Sequence, residues 1–321
     1  MLEVDTMFGN SWIQATWLAE RLTGLSAENT PPPHSPSSAE KRLKRWQNNK
    51  AFPQPDLWQS FLKDNAISEE LLQYLLTEPP ALLAERLPDT PKWVQRFESA
   101  YRHSTTPTER PIPHKFTPFI APLLHMARDT MQAWASIQQC TMLDSASMID
   151  QLSQSLGREL IRLVNPTLVL ELHAAQLQNR LDGNKSADTE QIFCNQLATP
   201  HFIRKIIREY PLLARILDAY VQDWLHAREL FFQRLAADWE AMIAPLPAIK
   251  QSGRIIALDD QVSDPHCDGE RVIIVSLASG EKVVYKPKTI AVDVHFQTLL
   301  GWINAAGFQP ALRQITVLNR P

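Results

Sequence analysis

Four residues near the end of the chain have types and spacing suited to chemistry. Asp264 and His266 sit in the run Ser263-Asp264-Pro265-His266-Cys267-Asp268-Gly269, and Lys286 and Lys288 close the run Val283-Val284-Tyr285-Lys286-Pro287-Lys288. A histidine of ordinary pKa can give or take a proton near neutrality, and a carboxylate beside it can accept one. A lysine ammonium is a compact charge for phosphate oxygens, but it needs a carboxylate to hold it in place. Strand geometry puts Val284 and Lys286 on one face and Val283 and Tyr285 on the other. A lysine in line with valines either snorkels to water or is held toward a ligand. The loop has simpler readings too. Asp-Pro is a common turn start, and Asp264, His266, Cys267 and Asp268 could approach a metal, although no second Cys/His pair accompanies them.

These residues lie in residues 253–317, whose texture differs from everything before it. Residues 254–258 and 271–277 are β-rich, Ala278-Ser279-Gly280-Glu281 reads as a turn, and residues 282–286 answer as a strand. Val272 to Val275 are apolar on both faces, which predicts a strand buried on both sides. Residues 293–306 read as a helix with Val292, Phe296, Leu299 and Ile303 inward and Gly307 at its C-terminal cap. Residues 312–318 read as a last strand. The expectation is therefore an α+β chain, with a large mostly helical region over residues 1–245 and a small antiparallel β lobe with one helix over 246–321.

The helical region is punctuated by proline. Residues 12–22 read as a short helix and residues 26–38, rich in Pro and Ser, as a loop or disordered linker. Lys41-Arg42-Leu43-Lys44-Arg45-Trp46 is a basic cluster. It is either an anion-binding patch or one face of an exposed helix with Leu43 and Trp46 turned inward. Residues 56–102 carry several short helices, and 119–141 and 145–164 longer ones. Asn165-Pro166 is expected to end one helix and start another, and Asp182-Gly183-Asn184 to turn. The strongest helical signal covers 202–242, where Leu213, Leu217, Tyr220, Trp224, Phe231, Leu235, Trp239 and Met242 share one stripe. Such a stripe is better read as core than as a cofactor box.

Bulk composition excludes several classes. A net charge of −3 gives no global reason to bind nucleic acid. No apolar run approaches the length of a membrane span. The N-terminus lacks a charged-then-apolar signal pattern. Three scattered cysteines, Cys140, Cys194 and Cys267, make neither a disulfide framework nor a zinc motif. A reducing, cytoplasmic setting fits.

The order of elements then matters. Two strands joined by a long loop, a third strand bearing a lysine, a helix and another strand is the order of a protein-kinase small lobe, whose third-strand lysine holds nucleotide phosphates. The loop departs from that pattern, having one glycine, Gly269, where a kinase has three. More specifically, Ser263-Asp264-Pro265-His266 with Gly269 and Val272, then Ser279 to Lys288, then Asp293, Phe296, Leu299-Leu300 and Trp302-Ile303-Asn304, resembles the dehydratase domain of class II lanthipeptide synthetases, the LanM type. Upstream, Thr167 to Leu172, Tyr210 to Arg215 and Arg234 to Trp239 resemble its helical portion.

The resemblance implies a two-step dehydration on a lipid-kinase-like core. ATP and Mg²⁺ phosphorylate Ser and Thr of a ribosomal precursor peptide, and phosphate is then eliminated to leave dehydroamino acids. Carried over by position, Lys286 and Lys288 would contact phosphate, while Asp264 and His266 would serve phosphoryl transfer, elimination or both. Cys267 stands where the family usually has an amide residue, Glu270 where it has a basic one, and Lys288 where it has arginine. The sequence closes at Leu318-Asn319-Arg320-Pro321 without the catalytic Asp-x-His block, the Mg²⁺ ligands or the zinc cyclase of complete members. The fragment alone is therefore expected to be inactive. The competing expectation is a non-catalytic helical protein that binds a peptide.

Overall fold

The computed structural model describes residues 7–26, 30–48, 54–103, 112–178, 186–244, 253–264 and 267–320. Compactness divides the chain into two units, Met1–Glu98 with His201–Ile216, and Ser99–Pro200 with Leu217–Pro321. Fold class is α+β as expected, with helices leading to a three-stranded antiparallel sheet. No helix among the described residues is long and apolar enough to cross a membrane.

In the first unit the segment 12–22 is not one helix. A 3₁₀ turn, Ser11–Ala15, is followed after Thr16 and Trp17 by one α turn, α1 (Leu18–Arg21). Helices α2 (Pro36–Gln47), α3 (Pro55–Asp64), α4 (Glu69–Thr77) and α5 (Pro80–Arg86) follow. α2 starts inside the Pro/Ser-rich stretch because Pro36 is suited to a first helical turn, where its missing N–H costs nothing. Its Leu43 is buried with Trp58, Leu62, Leu71, Leu72 and Leu75, and Trp46 packs against that cluster. The Ser68 hydroxyl caps α4 by accepting from the Leu71 N–H at 3.1 Å. α6 (Lys92–His103) presents Trp93 and Phe97 edge-on to Phe8. α11 (Pro200–Glu209) lies mostly within this unit, and Arg215 is buried beside Glu20 at 2.5 Å.

The second unit holds α7 (Thr117–Gln132), α8 (Ala135–Gln139), α9 (Ser145–Leu177), α10 (Ser186–Gln196) and most of α12 (Pro211–Ile243). α9 corrects an expectation, since it runs unbroken through Pro166. Pro166 and Arg162, whose carbonyl loses its donor, are both exposed, so water can satisfy that carbonyl. Buried Leu160, Val164, Leu168 and Leu172 carry the helix across on its inner face. The turn expected at 182–184 lies outside the described residues. The stripe of α12 is core. Leu217, Trp224, Phe231, Leu235 and Trp239 are buried, and Leu213, Tyr220 and Met242 partly so. Cys140 and Cys194 are buried free thiols.

The sheet orders as β1 (Ile255–Asp259), β2 (Ile273–Leu277) and β3 (Lys282–Tyr285), all antiparallel. Ile273 faces Tyr285, Val275 faces Val283, and Gly280 makes the hairpin turn at φ +93°. β2 is not buried on both faces. Ile273, Val275 and Leu277 are inside, whereas Ile274 and Ser276 are half-open. The next helix, α13 (Ala291–Ala305), ends as expected with Gly307 at positive φ, but its apolar face is uncovered. Val292 is 81% exposed, Phe296 53% and Leu299 48%, and no residue of α13 is buried. Residues 312–318 form no strand. They find no strand partner and lie back along α13, held by side-chain amides. Asn304 bonds both the N–H and the carbonyl of Leu312, Gln297 accepts from the Ile315 N–H, and Asn319 accepts from the Ile290 N–H.

Candidate functional site

The loop between β1 and β2 is clamped at its base. Asp260, the residue after β1, is buried, and its carboxylate accepts from Ser155 Oγ of α9 at 2.5 Å and from Arg228 Nη2 and Nε of α12 at 2.6 and 3.1 Å. Arg228 is wholly buried and lies over the Trp224 ring, 4.9 Å from its centre. Its Nη1 has no acceptor among the described residues. Burial works against the Asp260 charge. The Arg228 charge, the Ser155 hydroxyl and Arg271 outweigh it and hold the carboxyl below its ordinary range.

The other end of the loop is fixed by Arg271, also buried. It donates to Tyr220 Oη at 3.1 Å and, more loosely, to Glu159 and the Asp260 carbonyl, both at 3.4 Å. Ser263 Oγ accepts from the Val272 N–H at 3.1 Å and staples the two sides. Gly269 lets the loop touch α12. Its φ is +77°, and a Cβ there would stand 2.8 Å from the Asp223 carbonyl oxygen. Asp268 is exposed at φ +56°. Burial and the Asp268 charge raise the Asp223 carboxyl, and His226 partly offsets this. Asp264 is exposed on this loop, and His266 lies outside the described residues.

β3 is pinned by its inner face. Tyr285 packs edge-on against Phe231, with centroids 5.0 Å apart, and its hydroxyl accepts from Arg234. Arg234 also meets Glu270 at 3.2 Å, so the negative charge that follows the loop glycine is matched by α12. The next residue, Lys286, then points to the open face with Val284. Its Nζ lies 3.0 Å from Asp293 Oδ1, and the two side chains are 46% and 40% exposed. Asp293 is in the first turn of α13, where the helix dipole favours a carboxylate. Lys286 is thus a fixed, water-accessible cation held by the carboxylate its chemistry calls for. Lys288 is exposed. Among the described residues no hydrogen bond or ion pair joins Asp264 to Lys286 or Lys288.

Residues 210–321 match the family described as Domain of unknown function (DUF4135). No curated protein matches the chain. The DUF4135 match begins at Tyr210, one residue before α12, and runs through Arg228, the clamped loop, the lysine strand and α13.

Within the DUF4135 match, the reading of the sequence gave no positioning role to Arg228, Asp260, Arg271 or Asp293. Arg228 carried a visible signal, since it falls on the apolar stripe between Trp224 and Phe231, where a charge needs a buried partner. Asp293 carried another, as the acidic residue opening the helix after the lysine strand. Asp260 and Arg271 carried none, because their burial depends on contacts with α9 and α12.

Proposed function

We propose that this chain supplies the nucleotide-facing lobe, with its helical support, of a lanthipeptide-type dehydratase that phosphorylates Ser and Thr of a precursor peptide and then eliminates the phosphate. The observation that carries this reading is the Lys286–Asp293 pair. A lysine at the end of the third strand, held by a carboxylate from the following helix, faces an open side of the sheet. The DUF4135 match adds to it, since that domain is found in lanthipeptide synthetase-like proteins.

The residues present fit the phosphates of a nucleotide. Lys286 is half-open and fixed in direction, and exposed Val284 leaves apolar surface beside it. Bound ATP with Mg²⁺ would supply the phosphoryl group. Among the described residues no group of three His, Cys, Asp or Glu could hold a metal ion, so metal ligation is assigned to no residue here. In the first step the hydroxyl oxygen would bond to the γ-phosphorus of ATP as the bond from that phosphorus to the ADP oxygen breaks, ADP leaves and the hydroxyl proton passes to a base. In the second, a base takes the α-proton, the Cβ–O bond breaks and phosphate leaves. Lys286 would balance charge on the phosphate in both. Asp264 and His266 are the loop's candidates for the proton transfers.

The test is mass spectrometry of a precursor peptide co-expressed with the complete product of the gene that encodes this chain. Wild type should remove one water per modified Ser or Thr, and Lys286→Ala should leave the peptide unmodified. Dehydration that persists in Lys286→Ala would reduce the lysine to a structural ion pair. The open apolar face of α13 favours a second reading, a non-catalytic protein that binds a peptide. It predicts an unmodified peptide that nevertheless co-purifies, with or without ATP.

A further inference from the structure

The basic run Lys41, Arg42, Lys44, Arg45 plays no part in the lysine strand or its loop. It belongs to the first unit, where α2 sends its cations to different places. Lys44 stays on the outer surface, 2.7 Å from Glu40. Arg42 reaches the end of α4 and donates to the Leu76 carbonyl. Arg21, from α1, arrives at the same place. Its Nη1 donates to the Leu75 carbonyl at 3.2 Å and its Nε to Thr16 Oγ1 at 2.9 Å.

Helix capping explains part of this. The last carbonyls of a helix lack N–H partners, and cations near that end are favourable. One donor from each arginine suffices for that. A guanidinium has five N–H groups, and both residues line a cleft of about 420 Å³. Thr77 and Glu78 add polar groups to its wall, and Leu76, Pro79 and Pro80, which are at least partly open to solvent, make it partly apolar.

The charges in this cleft do not balance. Glu78 is buried and is taken bidentately by Arg86, at 2.8 Å from Nε and 2.7 Å from Nη2, and it also accepts from Tyr74 Oη at 3.1 Å. One carboxylate is thereby matched by one guanidinium. Among the described residues no carboxylate lies within ion-pair distance of Arg21 or Arg42. Burial and the charges of Arg86 and Arg42 lower the pKa of Arg21, against the pull of Glu78. Two guanidiniums in excess, beside an apolar wall, form a receptor for an anion that carries an apolar body.

We propose that this cleft binds an oxyanion, a phosphate or carboxylate borne on a small apolar group, between Arg21 and Arg42. Inorganic phosphate, phenyl phosphate and benzoate are the probes, titrated calorimetrically into the full chain. Phenyl phosphate or benzoate should bind more tightly than inorganic phosphate because of the Leu76, Pro79 and Pro80 wall, and their relative affinity tells which oxyanion is preferred. Arg21 also ties α1 to α4, so the exposed Arg42 is the residue to change. R42Q should lower affinity by about tenfold or more, the value of a lost charged hydrogen bond, with an unchanged circular dichroism spectrum. K44Q should leave affinity within about twofold. Absence of binding by all three probes at about 10 mM would overturn the proposal. So would equal losses in R42Q and K44Q, which would mark a diffuse basic surface.

Discussion

Helices α12 and α13 have the same kind of sequence pattern and opposite fates. Each carries an apolar stripe at helical spacing. On α12 the stripe is core, from Leu217 through Trp224 and Phe231 to Trp239. On α13 Val292, Phe296, Leu299 and Trp302 stand in the open. Periodicity records which face of a helix favours burial. It does not record whether the described residues provide the cover. The polar groups differ in the same way. α12 sends Arg228 into a closed network with Asp260, whereas α13 offers Asp293 to a lysine still half in water. The lobe is therefore rigid where it meets α12 and accessible where Lys286 lies.

The largest effects should fall on the closed side. Asp260→Asn leaves Arg228 buried without its carboxylate and should cost about 3–5 kcal/mol in denaturant unfolding. Phe231→Ala should cost a similar amount, about 3–5 kcal/mol, by emptying the contact beneath Tyr285. The Asp260 carboxylate also fixes a pH dependence. Its folded pKa is depressed, so its stabilisation is complete above the ordinary carboxylate range, about 4, and is lost as pH falls through the lower folded value. Wild type and Asp260→Asn should thus differ most at neutral pH and converge in acid. A constant difference across that range would place the stabilisation elsewhere.

An intermediate effect is expected at Gly269→Ala, where positive φ and the 2.8 Å approach to the Asp223 carbonyl both oppose a side chain. About 1–3 kcal/mol is the scale. On the open side, Phe296→Ser and Trp302→Ser should each change stability by less than about 1 kcal/mol, since neither is buried. They should also reduce binding of a hydrophobic dye. A loss as large as that of Phe231→Ala would show that α13 is packed after all.

What the sequence allowed and what it did not follows from the same comparison. The α12 stripe, the β hairpin turned by Gly280 and the Gly307 cap were legible because each depends on local spacing or on a residue that tolerates positive φ. The break expected at Asn165-Pro166 failed because burial on the inner face of α9 outweighs one missing hydrogen bond on the outer. The last strand failed because residues 312–318 meet the amides of Gln297 and Asn304 instead of pairing with the sheet. At the candidate site Lys286 and its outward face were visible from period two. The clamp formed by Ser155, Arg228, Asp260 and Arg271 was not, because it joins residues up to 105 positions apart.

The most direct measurement is ATP affinity of the complete gene product in wild type and Lys286→Ala, with thermal unfolding recorded on the same samples. Removal of a half-exposed ion pair should leave stability within about 1 kcal/mol, while affinity should fall by about tenfold or more, as for a lost charged hydrogen bond to phosphate. Equal affinity in the two proteins at unchanged stability would contradict a phosphate-binding role for Lys286.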